Sequence, residues 1–408
     1  MVSGLGCGQN CRRVECGIME NGKRVHFVII FLLVSFNLRM SFSAADPLLV
    51  LLRKDLGLGV GGSGLFGLLP IMALGIAAPL GARLAELVRP RCLIVYSLAA
   101  AIGGVIWRSY GGIPGLYGGT ITIGLGLGVT GSIILGIVKQ ELPNDIPQLM
   151  GAYTACVSLG TAVGSGAADP VALALGGWKP GLLFWALPLL VAGVLWAEFI
   201  ITTPEQRKVQ HTVRAPITPL LRQGKAWSVS LFYLFRVAGA WLLIVWLAAL
   251  MRRRGLPLVE SGLVLALSTA FQIPAALLSS HAAEWLGGRG RLMVAGIALS
   301  VGGCWGLLSA PLSYWPCFSI VLGIGLGSIF ALGMTLIVES SADEGTTVAL
   351  SGMAQGMGFV GGGLLAWAAS PVMHLPSPEL WIAGLYTLFA LSGLYFGLRC
   401  NTPDVCRV

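Results

Sequence analysis

Twelve stretches of the 408-residue chain are long and apolar enough to cross a lipid bilayer, with short polar segments between them. A helix rises 1.5 Å per residue, so roughly 20 apolar residues span the hydrocarbon core. The stretches fall at about 26–52, 60–84, 92–109, 113–138, 148–170, 180–203, 226–250, 257–282, 291–311, 315–338, 346–370 and 379–399. Composition agrees with this reading. Hydrophobic residues make up 56% of the chain and charged residues 11%, whereas a soluble domain carries about 25% charge. Mean hydropathy is +0.84. No water-soluble fold could hide so much apolar surface, so the bilayer is the solvent. The 58 glycines lie within the apolar runs, where they let helices approach closely.

The stretches form two sets of six. This predicts an N-terminal tail (1–25), a six-helix bundle (26–203), a basic linker (204–225), a second six-helix bundle (226–399) and a C-terminal tail (400–408). Residues 1–18 read as an extension ahead of an ordinary start at Met19. Ser43-Ala44-Ala45 resembles a signal cleavage site, but cutting there would break the symmetry of the halves, so the first span is expected to be retained. Lysines and arginines crowd the tails, the linker and alternate loops. The opposite side holds only Arg53, Lys54, Arg108, Lys179, Arg252, Arg253 and Arg254. The excess of basic residues marks the cytoplasmic face and places both termini inside.

The halves also repeat each other. Gly124-Leu-Gly126-Leu-Gly128 recurs as Gly323-Ile-Gly325-Leu-Gly327. Glu86 with Arg89-Pro-Arg91 recurs as Glu284 with Arg289-Gly-Arg291, Leu149-Met-Gly151 as Leu350-Ser-Gly352, and Arg39 as Arg236. Four matches in one order imply a duplicated six-helix unit. The fold class expected is an all-α membrane protein of two pseudo-symmetric bundles, with a solute site near midplane between them.

Several segments carry a family resemblance: Phe36-Asn37-Leu38-Arg39, Lys54 to Leu58, Gly81 to Arg91, Leu149 to Thr154, Gly176-Gly177-Trp178 and Gly352 to Gly356. Over about 27–399 the chain resembles the cyanate/2-nitroimidazole permease family of the major facilitator superfamily. The resemblance implies secondary transport of small polar solutes, with the Asn-Leu-Arg element of the first helix touching substrate. In the loop after the second span, Glu86 sits one place later than the superfamily pattern and Pro90 interrupts the basic pair.

Arginine at a helix centre costs roughly 2.5–3.5 kcal/mol on insertion scales, so Arg39 and Arg236 call for a reason. A central cavity that takes a small anion supplies one. Further substrate-binding candidates are Gln355, which falls in a family motif, Gln272 ahead of Pro274, and Thr154 and Ser158. The last two open a hydroxyl stripe that continues through Thr161 and Ser165 at helical spacing. Asp46, about two turns from Arg39 on the same face, is a candidate proton carrier. Gly81, Glu86, Arg91, Glu284 and Arg291 are candidates for a cytoplasmic gate that latches one conformation.

Other chemistry is absent from the pattern. The +9 charge is spread among loops rather than gathered for nucleic acid. Gly126-x-Gly128-x-x-Gly131 spells a dinucleotide motif but lies inside an apolar helix rather than between strand and helix. The nine cysteines and four histidines form no metal or disulfide pattern, so no cofactor is expected. The function expected is a monomeric inner-membrane permease for a small polar or anionic solute, cyanate-like or carboxylate-like, with protons as a possible partner. The alternatives are an exporter of neutral nitroheteroaromatic or drug-like compounds and a non-transporting receptor or sensor. An enzyme is not expected.

Overall fold

The computed structural model describes residues 21–57, 60–203, 216–400 and 405–407. Most of the linker (204–215) and the tail with Cys7, Cys11 and Cys16 lie outside the described residues. The N-terminal half contains α1 (Asn21–Ser43), α2 (Leu49–Leu56), α3 (Val60–Ala85), α4 (Pro90–Tyr110), α5 (Gly112–Glu141), α6 (Ile146–Ala174), α7 (Trp178–Phe184) and α8 (Ala186–Thr202). The C-terminal half contains α9 (Gly224–Arg253), α10 (Leu258–Leu277), α11 (Ser279–Trp285), α12 (Arg289–Ser309), α13 (Trp315–Glu339), α14 (Glu344–Ala368) and α15 (Pro378–Arg399).

Local chemistry sets the helix ends. Proline stands in the first turn of α4, α6, α13 and α15, where its missing N–H leaves no bond unmade. The Asp343 side chain accepts from the Thr346 N–H at 2.8 Å and caps α14. Three of the twelve expected spans are not single helices. The first breaks between Ser43 and Leu49, around Pro47, whose ring and missing N–H stop a helix from running on. The sixth breaks at Trp185 and the eighth at Leu278, four residues after Pro274. Among the described residues, eleven helical stretches are apolar and long enough to cross a membrane. Helix α6, diluted by its hydroxyls and glycines, is the long helix left out.

The duplication is visible in the packing. A Cβ at Gly126 would lie 2.4 Å from the Ser97 carbonyl oxygen and 3.1 Å from the Ala101 nitrogen, where α5 presses on α4. A Cβ at Gly325 would lie 2.6 Å from the Gly296 oxygen and 2.5 Å from the Ser300 nitrogen, where α13 presses on α12. The same backbone-on-backbone contact is thus built twice, and only glycine permits it. The outer faces carry bilayer chemistry. Leu187, Leu190 and Val194 of α8 and Leu388 and Leu391 of α15 are exposed, and exposed tryptophans (Trp107, Trp227, Trp367, Trp381) lie near helix ends.

Core packing shows which way the halves lean. One large apolar cluster joins both halves at the end where the termini lie, running from Phe27, Ile30 and Val138 to Val338, Val348 and Cys406. At the opposite end there are two separate clusters. One is built on Met40, Leu48 and Leu182 of the N-terminal half, the other on Leu243, Leu247 and Leu307 of the C-terminal half. Close approaches between halves lie in the first region and, between α3 and α14, reach up to Gly75, where a Cβ would lie 2.9 Å from the Val360 nitrogen. A Cβ at Gly151 would meet the Ala276 oxygen at 2.6 Å, one at Gly352 the Ala78 oxygen at 2.9 Å, and one at Gly136 the Val348 side chain at 2.5 Å. The cleft between the halves is therefore shut at the terminal end and parted at the other.

Candidate transport site

A cavity of about 140 Å³ lies between the halves at mid-depth, walled by α1, α3, α5 and α6 on one side and α9, α10, α13 and α14 on the other. Arg39 and Arg236 both line it, each half-buried. Among the described residues neither makes an ion pair, and no carboxylate lines the cavity. Asp169 and Glu198, the nearest acids in their spans, are exposed elsewhere. Aromatic rings hold the guanidinium groups instead. The Arg39 Cζ stands 5.1 Å from the Trp241 ring of the opposite half. The Arg236 Cζ stands 4.1 Å from Phe330 and 4.7 Å from Tyr233. A ring face attracts a cation without neutralising it, so both positive charges remain available to an occupant. The Tyr233 hydroxyl lies against the Arg236 guanidinium, and neither it nor the buried Arg236 Nε has another hydrogen-bond partner among the described residues.

Other sequence candidates divide. Ser158, Gln272 and Gln355 line the cavity, as does Thr161. Gln355 Nε2 donates to Ser351 Oγ at 2.7 Å and to the Gly131 carbonyl at 3.3 Å, so it bridges the halves as well as facing the site. Thr154 is not in the cavity wall. It is fully buried, with an unpartnered Oγ1, because one turn of α6 carries the stripe from the cavity into packed helices. Asp46 sits in the turn after α1, exposed and outside the cavity wall, where the charges of Arg39 and Arg108 act on it.

Sequence reasoning missed Tyr153, Tyr233, Trp241 and Phe330, which line the cavity. Trp241 left a signal, since tryptophan normally prefers helix ends at the membrane interface rather than mid-span. It also counted Arg108 among the outer-side charges, at the end of the third span. The structure buries this residue to 1% exposure, and its Nη2 donates to the Ser41 carbonyl at 2.9 Å, near the end of α1.

The gate candidates also rearrange. Gly81 packs α3 onto α5, where a Cβ would meet Ser132 Oγ at 2.4 Å. Arg91 pairs with Glu141 at the end of α5 and donates to the Thr203 carbonyl at 2.9 Å. Its counterpart is Arg289, not the expected Arg291. Arg289 grips Glu339 at the end of α13 with both Nη atoms, and each of these pairs joins residues 50 apart. Among the described residues Arg291 donates only to the nearby Leu286 carbonyl, at 3.2 Å. Glu86 is half-buried in the turn after α3, and Glu284 is exposed beside a groove of about 410 Å³ between the halves. The arginine–glutamate pairs thus brace neighbouring helices within one half. Between halves, the Lys139 ammonium acts on Glu339 and Asp343.

The side chains of Arg91 and Glu141 are 8% and 12% exposed, against 42% and 21% for Arg289 and Glu339. Stranding a buried charge costs more than stranding a wet one. Glu141→Ala is expected to destabilise the protein by about 3 kcal/mol and Glu339→Ala by about 1 kcal/mol or less. Thermal unfolding in detergent reads the difference, and equal losses would count against it.

A membrane-spanning helical protein of two repeated bundles around one central cavity has the architecture of a membrane transporter. The family model of the Major Facilitator Superfamily matches residues 31–366, and the chain belongs to that superfamily. It is a multi-pass membrane transporter and not an enzyme. It is 29% identical over 401 residues to the 2-nitroimidazole transporter of Escherichia coli K12, covering 94% of this chain and 98% of that one. It is 27% identical over 375 residues to the cyanate transport protein CynX of the same organism, covering 91% and 96%. Among solved structures, the proton:xylose symporter XylE bound to 6-bromo-6-deoxy-D-glucose superposes with a TM-score of 0.71 at 12% identity, covering 93% of this chain and 95% of that one. A bacterial homologue of the iron transporter ferroportin in an outward-facing state gives 0.69 at 14% identity, covering 91% and 98%.

Proposed function

We propose that this chain is a secondary active transporter of the inner membrane, with both termini cytoplasmic, that moves a small anion, cyanate-like or carboxylate-like, by rocking of its halves. The observation that carries this reading is the pair of arginines in one cavity with no carboxylate between them. Two like charges facing each other in a desolvated site repel, and a bound anion relieves both costs. A guanidinium donates in a planar fork that suits carboxylates and flat oxyanions. The cyanate relative supports an anion. With cytoplasmic termini, the parted end of the cleft faces outward. Uptake of labelled cyanate and short carboxylates into proteoliposomes, with and without a pH gradient, tests the reading. Failure of every anion to exchange would defeat it.

A second reading, export of a neutral nitroheteroaromatic, is favoured by the mostly apolar cavity wall and by the 2-nitroimidazole relative. The same vesicles loaded with 2-nitroimidazole separate the two. Coupling is proposed to run through Asp46, whose carboxylate feels the charge of the cavity residue Arg39, so that an anion bound at Arg39 would ease protonation of Asp46. Asp46→Asn is expected to abolish the pH dependence of uptake while leaving solute exchange intact. Unchanged accumulation on a pH gradient would remove Asp46 from the mechanism.

A further inference from the structure

We infer that the occupant of the central site is an amphipathic carboxylate, a planar anionic head joined to an apolar ring-sized body, rather than a bare inorganic anion. This rests on the reading of Arg39 and Arg236 as anion ligands and specifies what else the site takes.

Three observations carry it. The first is room. A water needs about 10–15 Å³ of such volume, so the cavity of about 140 Å³ accommodates on the order of ten small groups. A triatomic anion would leave most of it unfilled, whereas an aromatic acid of the size of benzoate fills it.

The second is the state of the hydroxyls in the wall. Thr161 donates to the Val157 carbonyl at 2.9 Å, Ser268 to Val264 at 2.9 Å, and Thr269 to Leu265 at 2.9 Å. Their protons are engaged by their own helices, so these residues present little donor capacity to an occupant. A compact, multiply charged oxyanion needs donors on every side, and these three residues do not supply them. The donors that remain are the two guanidinium groups, the Tyr153 and Tyr233 hydroxyls, Ser158 and Gln272, which suffice for one carboxylate.

The third is the arrangement along the cleft. Helix α9 runs from the closed end toward the open one, so Trp241 and Ile244 stand about 7 and 12 Å beyond Arg236 toward the opening. Leu265 of α10 and Leu322 of α13 join them in the wall. The cavity therefore has a cationic floor and an apolar upper wall. The Trp241 ring is common to both, because it also stacks on Arg39. An occupant with its carboxylate between the arginines would set its apolar body against that ring and the aliphatic side chains above it.

Isothermal titration of the purified full-length protein with benzoate, acetate, cyanate and benzamide tests this. Benzoate is expected to bind at least about tenfold more tightly than acetate, cyanate and the neutral benzamide. Trp241→Ala should remove the preference for benzoate over acetate, lowering benzoate affinity by at least about tenfold more than acetate affinity, while Trp241→Phe keeps the preference. Acetate or cyanate binding as tightly as benzoate overturns the inference and leaves the anion reading standing. Benzamide binding as tightly as benzoate overturns both, as does the binding of none of the four up to millimolar concentrations. Equal losses of acetate and benzoate affinity in Trp241→Ala, with the benzoate preference intact, would show the ring to hold Arg39 alone and overturn its assigned contact with the solute.

Discussion

Replacing either Arg39 or Arg236 by alanine is expected to weaken solute binding by about a hundredfold or more, with membrane insertion unchanged. A hydrogen bond to a charged group contributes about 1.5–3 kcal/mol, and a forked guanidinium makes two of them to a carboxylate. Removing the fork also leaves the other arginine to hold the anion alone. Lysine at either position should restore little. Its ammonium is a point charge on a flexible stem, and it cannot keep the ring contacts with Trp241, Phe330 and Tyr233 that orient the present groups. Titration of the solute into gel-filtered, monodisperse variants measures the effect. Near wild-type affinity in both alanine variants would make the arginines structural and end the anion reading. Their lack of carboxylate partners already removes the commonest structural use of a membrane arginine, an interhelical ion pair.

The second large effect concerns motion. The cleft is shut where Gly136 of α5 meets Val348 of α14, one helix from each half. Cysteines placed at both positions, in a background free of the other cysteines, lie close enough for a disulfide. Oxidation is expected to abolish net transport, because the halves cannot part at the terminal end, while solute still binds through the open side. Reduction should restore transport. Full transport by the oxidised double variant, with the cross-link verified, would exclude rocking about the central site. Loss of binding together with transport would place the solute's entry on the wrong side of the barrier.

Much of this architecture was legible because hydropathy is local. Most spans are continuous apolar runs, and nine of the twelve match single helices whose ends fall within a few residues of those expected. The interruption at Trp185 was harder to foresee, since apolar residues continue across it, whereas Asp46 and Pro47 mark the first break and Pro274 and Ser279-Ser280 the one at Leu278. The gate shows a different limit. Glu86 and Glu284 were paired with nearby arginines because they are neighbours along the chain. The actual acids, Glu141 and Glu339, lie 50 residues from Arg91 and Arg289 and reach them only when α5 and α13 fold back.

The sequence by itself determined that the chain lives in a bilayer, that it is a duplicated six-helix unit, and that two arginines stand at matching places in the first and seventh spans. These are properties of composition, spacing and repetition, which need no knowledge of neighbours. Only the tertiary structure decided what each helix face meets. Thr154 and Ser158 share one stripe, yet the first is sealed between helices and the second lines the cavity. Arg108, written at a span end, is buried against α1, and the rings that hold Arg39 and Arg236 come partly from other helices. Helical periodicity fixes which residues share a face, but the burial, charge and partners of that face depend on the helices that pack against it.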